Sequence, residues 1–242
     1  NEDTDYTGTL SVSDVEGDAL TYSITTSPSN GTISEVNNYS LSFDGVDDQV
    51  IAQSIIFEND DSLTISMWVK PESFSSNSTN TFLVQGYCSS GDTRIYLANE
   101  NGSLAFGLTT DNGWHEWDFS YDMNSLLNSW NYLTFTYGSN LKKIFINGEL
   151  QGTNNGNSGN MLSCNNGNLI FGSNISARYY HGKMDEVAIW NDDLTSAEIT
   201  AIYNSGVALD AKSNSGDYAS SANLKGYWKM EEGTGTTLTD LS

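Results

Sequence analysis

Basic residues are scarce in this chain. Nine Lys and Arg stand against 31 Asp and Glu, for a formal net charge of -22. Nucleic-acid binding needs a basic footprint, so that class is excluded. The same charge disfavours an anionic membrane surface and, more weakly, a polyanionic polymer. Histidines number only 2 and cysteines only 2. Cys88 and Cys164 lie 76 positions apart, which rules out a Cys-x-x-Cys metal knuckle. In an extracellular setting they could pair as a disulfide, and closing so long a loop would contribute ~3–4 kcal/mol in the chain-entropy model. Otherwise they are two unrelated loop thiols. No apolar run approaches the ~18 residues of a membrane helix, so no membrane insertion is expected. The polar start, NEDTDYTG, has no signal-peptide pattern, and the chain is expected to be part of a larger multi-domain protein.

Prolines are also few, at 2, but 22 glycines and many Asn and Ser supply β-turn chemistry without a collagen-like or linker-like period. Tyr39, Leu41 and Phe43 alternate ahead of an acidic turn, Asp44-Gly45-Val46-Asp47-Asp48. Leu63, Ile65, Met67 and Val69 alternate with Thr64, Ser66 and Trp68. Period-two patterning bounded by Gly and Asp clusters predicts half-buried antiparallel strands. Asn101-Gly102 and Asn147-Gly148 predict tight hairpins. One helix is expected, opened by the capping box Thr195-x-x-Glu198, carried by Ile199, Ile202 and Tyr203, and stopped at Gly206. The class is therefore all-β with one short helix, in a chain long enough for a sizeable core. A hard cation would relieve part of the acidic charge, because carboxylate and carbonyl oxygens suit Ca²⁺. A solvated acidic surface is the plainer reading.

The strings SLSFDGVDD, LTISMWVKP and GKMDEVAIWNDDLTSAEITAIYNSG, and the tail GYWKMEEGTGTTLTDLS, resemble bacterial laminin-G-like modules of the concanavalin A-like lectin/glucanase superfamily. The resemblance covers residues 39–242. It implies a two-sheet antiparallel jelly-roll β-sandwich over 38–242, with 207–242 supplying a closing strand. The other reading of 207–242 is the severed start of a next repeat. In this superfamily the first and last strands lie side by side and often hold a structural Ca²⁺. Carried over by position, the resemblance implies Asp44, Gly45 and Asp185 as ligands; the plain alternative is a capped Asp-Gly turn without metal. Residues 1–37, with Asp14, Glu16 and Asp18 around Gly17, resemble the opening of a cadherin-like surface-protein repeat. They form either such a fragment or an N-terminal appendage.

Trp68, Trp130, Trp190 and Trp228 sit in strand patterns and are first of all core or sheet-face residues. Trp114 and Trp117 fall in Asp111–Ser129, which reads as a long hairpin insertion, and long loops on a rigid scaffold commonly carry binding. Trp114, His115, Glu116, Trp117, Asp118 and Tyr121 set flat rings beside hydrogen-bonding groups, the combination that sugars require. The plain alternative is a mini-core that pins the loop. Arg94 and Tyr96 share the face opposite Ile95 and Leu97. Arg178, Tyr179 and His181 precede the closing strand. If these regions meet, they form a polar-aromatic groove.

Catalysis is not expected. Glycosidases of this fold carry an E-x-D-x-x-E strand, and Glu116-Trp117-Asp118 supplies only its first half. Asp185 and Glu186 are consecutive and should point to opposite faces of a strand. With two histidines and no G-x-S-x-G or H-E-x-x-H pattern, no catalytic residue is assigned. The expected function is a non-catalytic carbohydrate-binding module of a secreted polysaccharide-degrading or cell-surface protein. It would bind a polysaccharide by stacking and hydrogen bonds, with structural calcium. The alternative is an adhesion or spacer module without glycan affinity. The acidic balance favours a neutral polymer, unless Lys142, Lys143, Arg178 and Lys183 gather into a basic patch.

Overall fold

The structure is a computed structural model and describes residues 39–53, 55, 61–74, 79–86, 93–162, 167–174 and 177–242. The appendage expected at 1–37 and the pair Cys88 and Cys164 lie outside the described residues. Two antiparallel sheets form a sandwich. The seven-stranded sheet runs β1 (Leu41–Asp44), β12 (His181–Trp190), β3 (Leu63–Ser73), β8 (Asn131–Gly138), β9 (Leu141–Ile146), β10 (Glu149–Asn154), and β13 (Leu224–Trp228) also pairs with β12. The six-stranded sheet runs β2 (Val50–Ala52), β11 (Asn168–Phe171), β4 (Asn80–Gly86), β5 (Ile95–Glu100), β6 (Ser103–Thr110), β7 (Gly113–Ser120).

The core follows from alternation. Leu63, Ile65, Met67 and Val69 of β3 are fully buried between the sheets with Leu97, Phe106, Leu133, Phe135 and Ile189. The other face of β3 is not solvated. Trp68 joins Tyr132, Phe145, Trp190, Tyr218 and Tyr227 in a second cluster. That cluster is covered by Ile199 and Ile202 of α1 (Ser196–Tyr203), so the central strands of the seven-stranded sheet are buried on both faces. Thr195 and Glu198 form the reciprocal capping box, while the stop is the left-handed Asn204 rather than Gly206. Both residues of Asn101-Gly102 and of Asn147-Gly148 have positive φ, the type I′ geometry that matches strand twist. Trp130 stands just ahead of β8 and stays 39% exposed.

Two features depart from expectation. Asp111–Ser129 is not a long loop: it holds β7, then a 3₁₀ turn at Met123–Leu126. Trp114, Glu116 and Asp118 alternate with His115, Trp117 and Phe119, a strand pattern in which one indole and two carboxylates occupy the outward positions. The second is a bulge in β12 between Asp185 and Ala188, where Glu186 takes φ +47°. A bulge breaks the strict two-face alternation otherwise expected of consecutive strand residues.

At the β7 and β10 edges the sandwich is tied by a lysine. Lys142 of β9 is fully buried, and its Nζ donates to the backbone carbonyls of Phe106 (3.0 Å) and His115 (2.7 Å) in the facing sheet. Burial pushes its ammonium from 10.5 down to about 7, opposed by the Glu116 carboxylate. Between those values the unfolded chain binds more protons, so this group's contribution to stability rises with pH from about 7 to about 10.5. Lys142→Met should remove that slope. In thermal melts the wild-type-minus-variant Tm difference should grow between about pH 6.5 and about pH 9.5, by roughly 2–4 °C per kcal/mol. Curves that stay parallel would show that Lys142 is not held as a shifted amine.

Candidate functional site

On the outer face of the six-stranded sheet, one row crosses the strands as Ile170, Val84, Tyr96, Gly107 and Glu116. Gly107 is the gap in that row. A Cβ there would lie 2.2 Å from Cη2 and 2.4 Å from Cζ2 of Trp114. The indole therefore lies against the bare backbone of β6, beside Tyr96, and is still 45% exposed. Small apolar neighbours, Ala98 and Ala105, pack with Val84, Tyr96 and Ile170 on this face. Among the described residues no helix covers it.

A polar network borders the ring. The Arg178 carbonyl accepts from the Thr81 amide of β4 at 2.9 Å, and Arg178 holds a left-handed backbone (φ +64°). Its Nη1 donates to Tyr96 Oη at 3.1 Å, and Tyr96 Oη donates to Glu100 Oε2 at 3.1 Å. The Glu100 carboxyl lies close enough to act on Glu116. Burial, then the Glu100 and Asp118 carboxyls, push Glu116 up to about 7, against the pull of Arg178. Burial, then Glu100, raises the Tyr96 phenol to about 12. Together with Val84, Thr93 and Asn174, the residues Tyr96, Trp114, Glu116 and Arg178 line a cavity of about 270 Å³. Such a site offers one aromatic face, a guanidinium, a phenol and a carboxyl to one small ligand.

Four of the eleven expected contact residues thus meet: Tyr96, Trp114, Glu116 and Arg178. The others do not line the cavity. His115 and Trp117 point to the opposite face of β7. His115 Nδ1 lies 3.4 Å from Lys142 Nζ, and burial followed by that charge lowers its pKa. Trp117 packs edge-on against Phe119, with both over Gly152 of β10, and Tyr121 stacks on Phe119. These rings close the sandwich edge. Arg94 precedes Tyr96 by two residues, and its carbonyl accepts from Thr109. Tyr179 gives its carbonyl to Asn80 Nδ2. His181 pairs with Asp44 across β1 and β12, and its Nδ1 lies 2.7 Å from Ser73 Oγ. Sequence reasoning missed Val84, Thr93, Glu100, Gly107 and Asn174. Gly107 had a readable signal, because an isolated glycine inside a strand often marks a close approach.

The expected metal ligands separate. Asp44 lies opposite His181, whereas Asp185 follows Met184, the partner of Leu41. Asp44 and Asp185 are therefore about 13 Å apart along the strand direction, at ~3.3 Å per residue. Asp47 and Asp48, not Asp185, join Asp44, with carboxylate oxygens within 4.8 Å of one another. Asp44 Oδ1 accepts from the amides of Val46 (2.8 Å) and Asp47 (3.4 Å), and Asp48 Oδ2 accepts from Asp44 N (2.9 Å). The Val46 amide is the main reason the Asp44 carboxyl sits below its ordinary range. These bonds describe an exposed capped turn.

Asp185 is only 8% exposed. Burial pushes it up to about 8, with Glu186 and Glu231 adding to the rise; the Glu186 amide and Lys229 act against it. Burial raises Glu186 to about 7, although the Tyr227 hydroxyl donates to it.

A family model described as the concanavalin A-like lectin/glucanases superfamily, of laminin-G type, matches residues 44–200. No curated protein matches the chain. Among solved structures, a candidate carbohydrate-binding protein from Bacteroides ovatus superposes with a TM-score of 0.60 at 16% identity, covering 84% of this chain and 55% of that one. A heptameric pentraxin from Limulus polyphemus gives 0.52 at 16% identity, covering 71% and 84%. Domain 4 of an extracellular arabinanase from Geobacillus stearothermophilus, solved with arabinotriose, gives 0.50 at 18% identity, covering 68% and 76%. At these identities the likeness concerns the fold. The match over residues 44–200 is the firmer finding, and by it the chain belongs to the concanavalin A-like lectin/glucanase superfamily.

Proposed function

We propose that this protein is a non-catalytic, lectin-like module that binds a polysaccharide on the outer face of its six-stranded sheet, as part of an extracellular or cell-surface protein. The observation that carries this reading is the half-exposed Trp114 ring laid over Gly107, with Tyr96, Glu116 and Arg178 beside it. A sugar ring presents C–H groups that stack on an indole and hydroxyls that pair with guanidinium, phenol and carboxyl groups. The groove is small and polar at its border, as a site for sugars should be. The domain of similar fold solved with arabinotriose supports the reading by analogy.

Structural calcium belongs to this proposal, at a revised place. In the exposed turn Asp44 Oδ1 and Asp48 Oδ2 already accept from backbone amides. Asp185 fits a hard cation better. It is buried at a bulge, and the carboxyls of Glu186 and Glu231 deepen its negative surroundings, while Lys229 pairs with Asp210. Asp185 is the carboxylate that would hold the ion, with Glu231 near enough to act on it, and oxygen donors suit Ca²⁺. The ion would neutralise buried charge and tie the start of β1 to the segment after β13.

Two measurements check these assignments. In affinity electrophoresis against a panel of polysaccharides, Trp114→Ala should weaken retardation at least about tenfold, or ~1.4 kcal/mol, with an unchanged melting curve. Trp117→Ala should instead cost about 2 kcal/mol of stability through the lost edge packing. A panel on which the wild type never saturates would favour the adhesion or spacer role. In thermal melts, Ca²⁺ at 100 times its Kd should add about 2.7 kcal/mol relative to EDTA. Asp185→Asn should abolish that gain and Asp47→Asn should not; the reverse result would return the ion to the exposed turn.

A further inference from the structure

The cations that a sequence reader would gather into an anion-binding patch are dispersed by the fold. Lys142 is fully buried, on the inner side of the sandwich, donating to the Phe106 and His115 carbonyls. Lys143 is ion-paired with Asp193 at 2.8 Å. Lys183 lies in β12 of the other sheet, opposite Ser42 and Lys70. Arg178 alone of the four lines the cavity. Its Nη1 is engaged by Tyr96 Oη, and the same phenol donates to Glu100.

Acidic groups outnumber that guanidinium. Glu116 lines the cavity, Glu100 accepts from the Tyr96 phenol, and Glu100 and Asp118 both lie close enough to act on Glu116. Carboxyls at close range oppose each other's ionisation, so Glu116 holds its proton to a higher pH than an isolated carboxyl. A ligand carboxylate or sulfate would enter as a further anion in a cavity of about 270 Å³, and like charges at such range oppose each other strongly where water is displaced. A neutral hydroxyl meets no such opposition. It can accept from Arg178, and it can donate to Glu116 when that carboxyl is ionised or accept from it when protonated.

We propose that the groove selects sugar units without negative charge, and that the Glu100–Glu116 pair, set against the single guanidinium of Arg178, is the element that excludes uronates and sulfated sugars. This rests on the glycan-binding reading above and names the ligand class of that same site. The cavity is smaller than the ~300–1,000 Å³ of ordinary small-molecule sites, so it seats about one sugar unit at a time. The exclusion sharpens with pH. Glu116 loses its proton near neutrality, under the influence of Glu100 and Asp118 on one side and Arg178 on the other. The Tyr96 phenol stays protonated throughout that range, and Lys142 reaches Glu116 only from across the sheet.

The test measures affinity for neutral polymers (arabinan, xylan and a β-glucan) and for polygalacturonate and carrageenan, at low ionic strength, near pH 5.5 and pH 8.5. The wild type should prefer at least one neutral polymer over both anionic ones by at least about tenfold, and the ratio should widen at pH 8.5. In the Glu100→Gln/Glu116→Gln variant the readout is that ratio, whatever the absolute affinity, with folding checked by thermal melting. The ratio should fall at least about tenfold and lose its pH dependence. Tight wild-type binding of polygalacturonate that Arg178→Gln removes would overturn the proposal and make Arg178 an anion receptor. An unchanged ratio in the double variant would overturn it as well, leaving the glycan-binding reading intact. Failure of the wild type to bind any of the five polymers, or of a wider panel, would instead remove the glycan-binding reading and this inference with it.

Discussion

The hydrogen-bonded ladder of β12 is the constraint on which the rest depends. On one side β12 pairs with β3 along most of its length. On the other, its first half pairs with β1 and its second half with β13. One strand thus gathers segments that are almost two hundred residues apart in the chain. The bulge between Asp185 and Ala188 sits where the β1 ladder gives way to the β13 ladder. It turns a buried, acidic stretch of backbone out of register at that junction. Buried carboxyls at a junction between ladders are costly unless neutralised by protons or a cation. The acid-rich junction and the chain closure are therefore one physical problem.

The two sheets have different outer faces. The seven-stranded sheet is sealed by α1 and by the segment that carries Leu209, Ala211 and Tyr218, so its outer aromatic residues serve as core. The six-stranded sheet carries only a thin layer of Val84, Ala98, Ala105 and Ile170 around Tyr96. Small side chains there leave shallow relief, and Gly107 deepens it enough for an indole to lie down. The site is thus built less by what is present than by the missing side chain in the middle strand. Rigid neighbouring strands hold the ring, so little ordering should be needed on binding.

Trp114 and Trp117 divide the two roles that one strand can play. Trp117 faces inward with Phe119 and closes the edge against Gly152 of β10, while Lys142 stitches the same edge to the facing sheet. Trp114, three residues earlier and on the other face, is free of that duty. The inner packing fixes β7, and β7 in turn fixes Trp114 and Glu116. Charge follows the same division. The inner cation is enclosed by carbonyls, and the outer one stands among carboxyls.

Much of this was legible from residue order. The alternation of Leu63, Ile65, Met67 and Val69, the two Asn-Gly turns and the Thr195–Glu198 capping box are local rules, and each holds in the folded chain. The outward alternation of Arg94 and Tyr96 and the aromatic content near Trp114 pointed to the site for the same reason. The strand β7 was hidden because aromatic and polar residues occur on both of its faces, Trp114 outward beside Glu116 and His115 inward beside Trp117, so no apolar alternation marks it. The grouping of Arg178 with Trp114, the parting of Asp44 from Asp185 and the burial of Lys142 depend on which strands become neighbours and in what register. Local sequence determined the strands, the turns and the helix cap, because those follow from periodicity and backbone preference. Tertiary structure decided which rings face water, which carboxyls crowd together and which cation reaches the groove, because those depend on pairings between segments far apart in the chain.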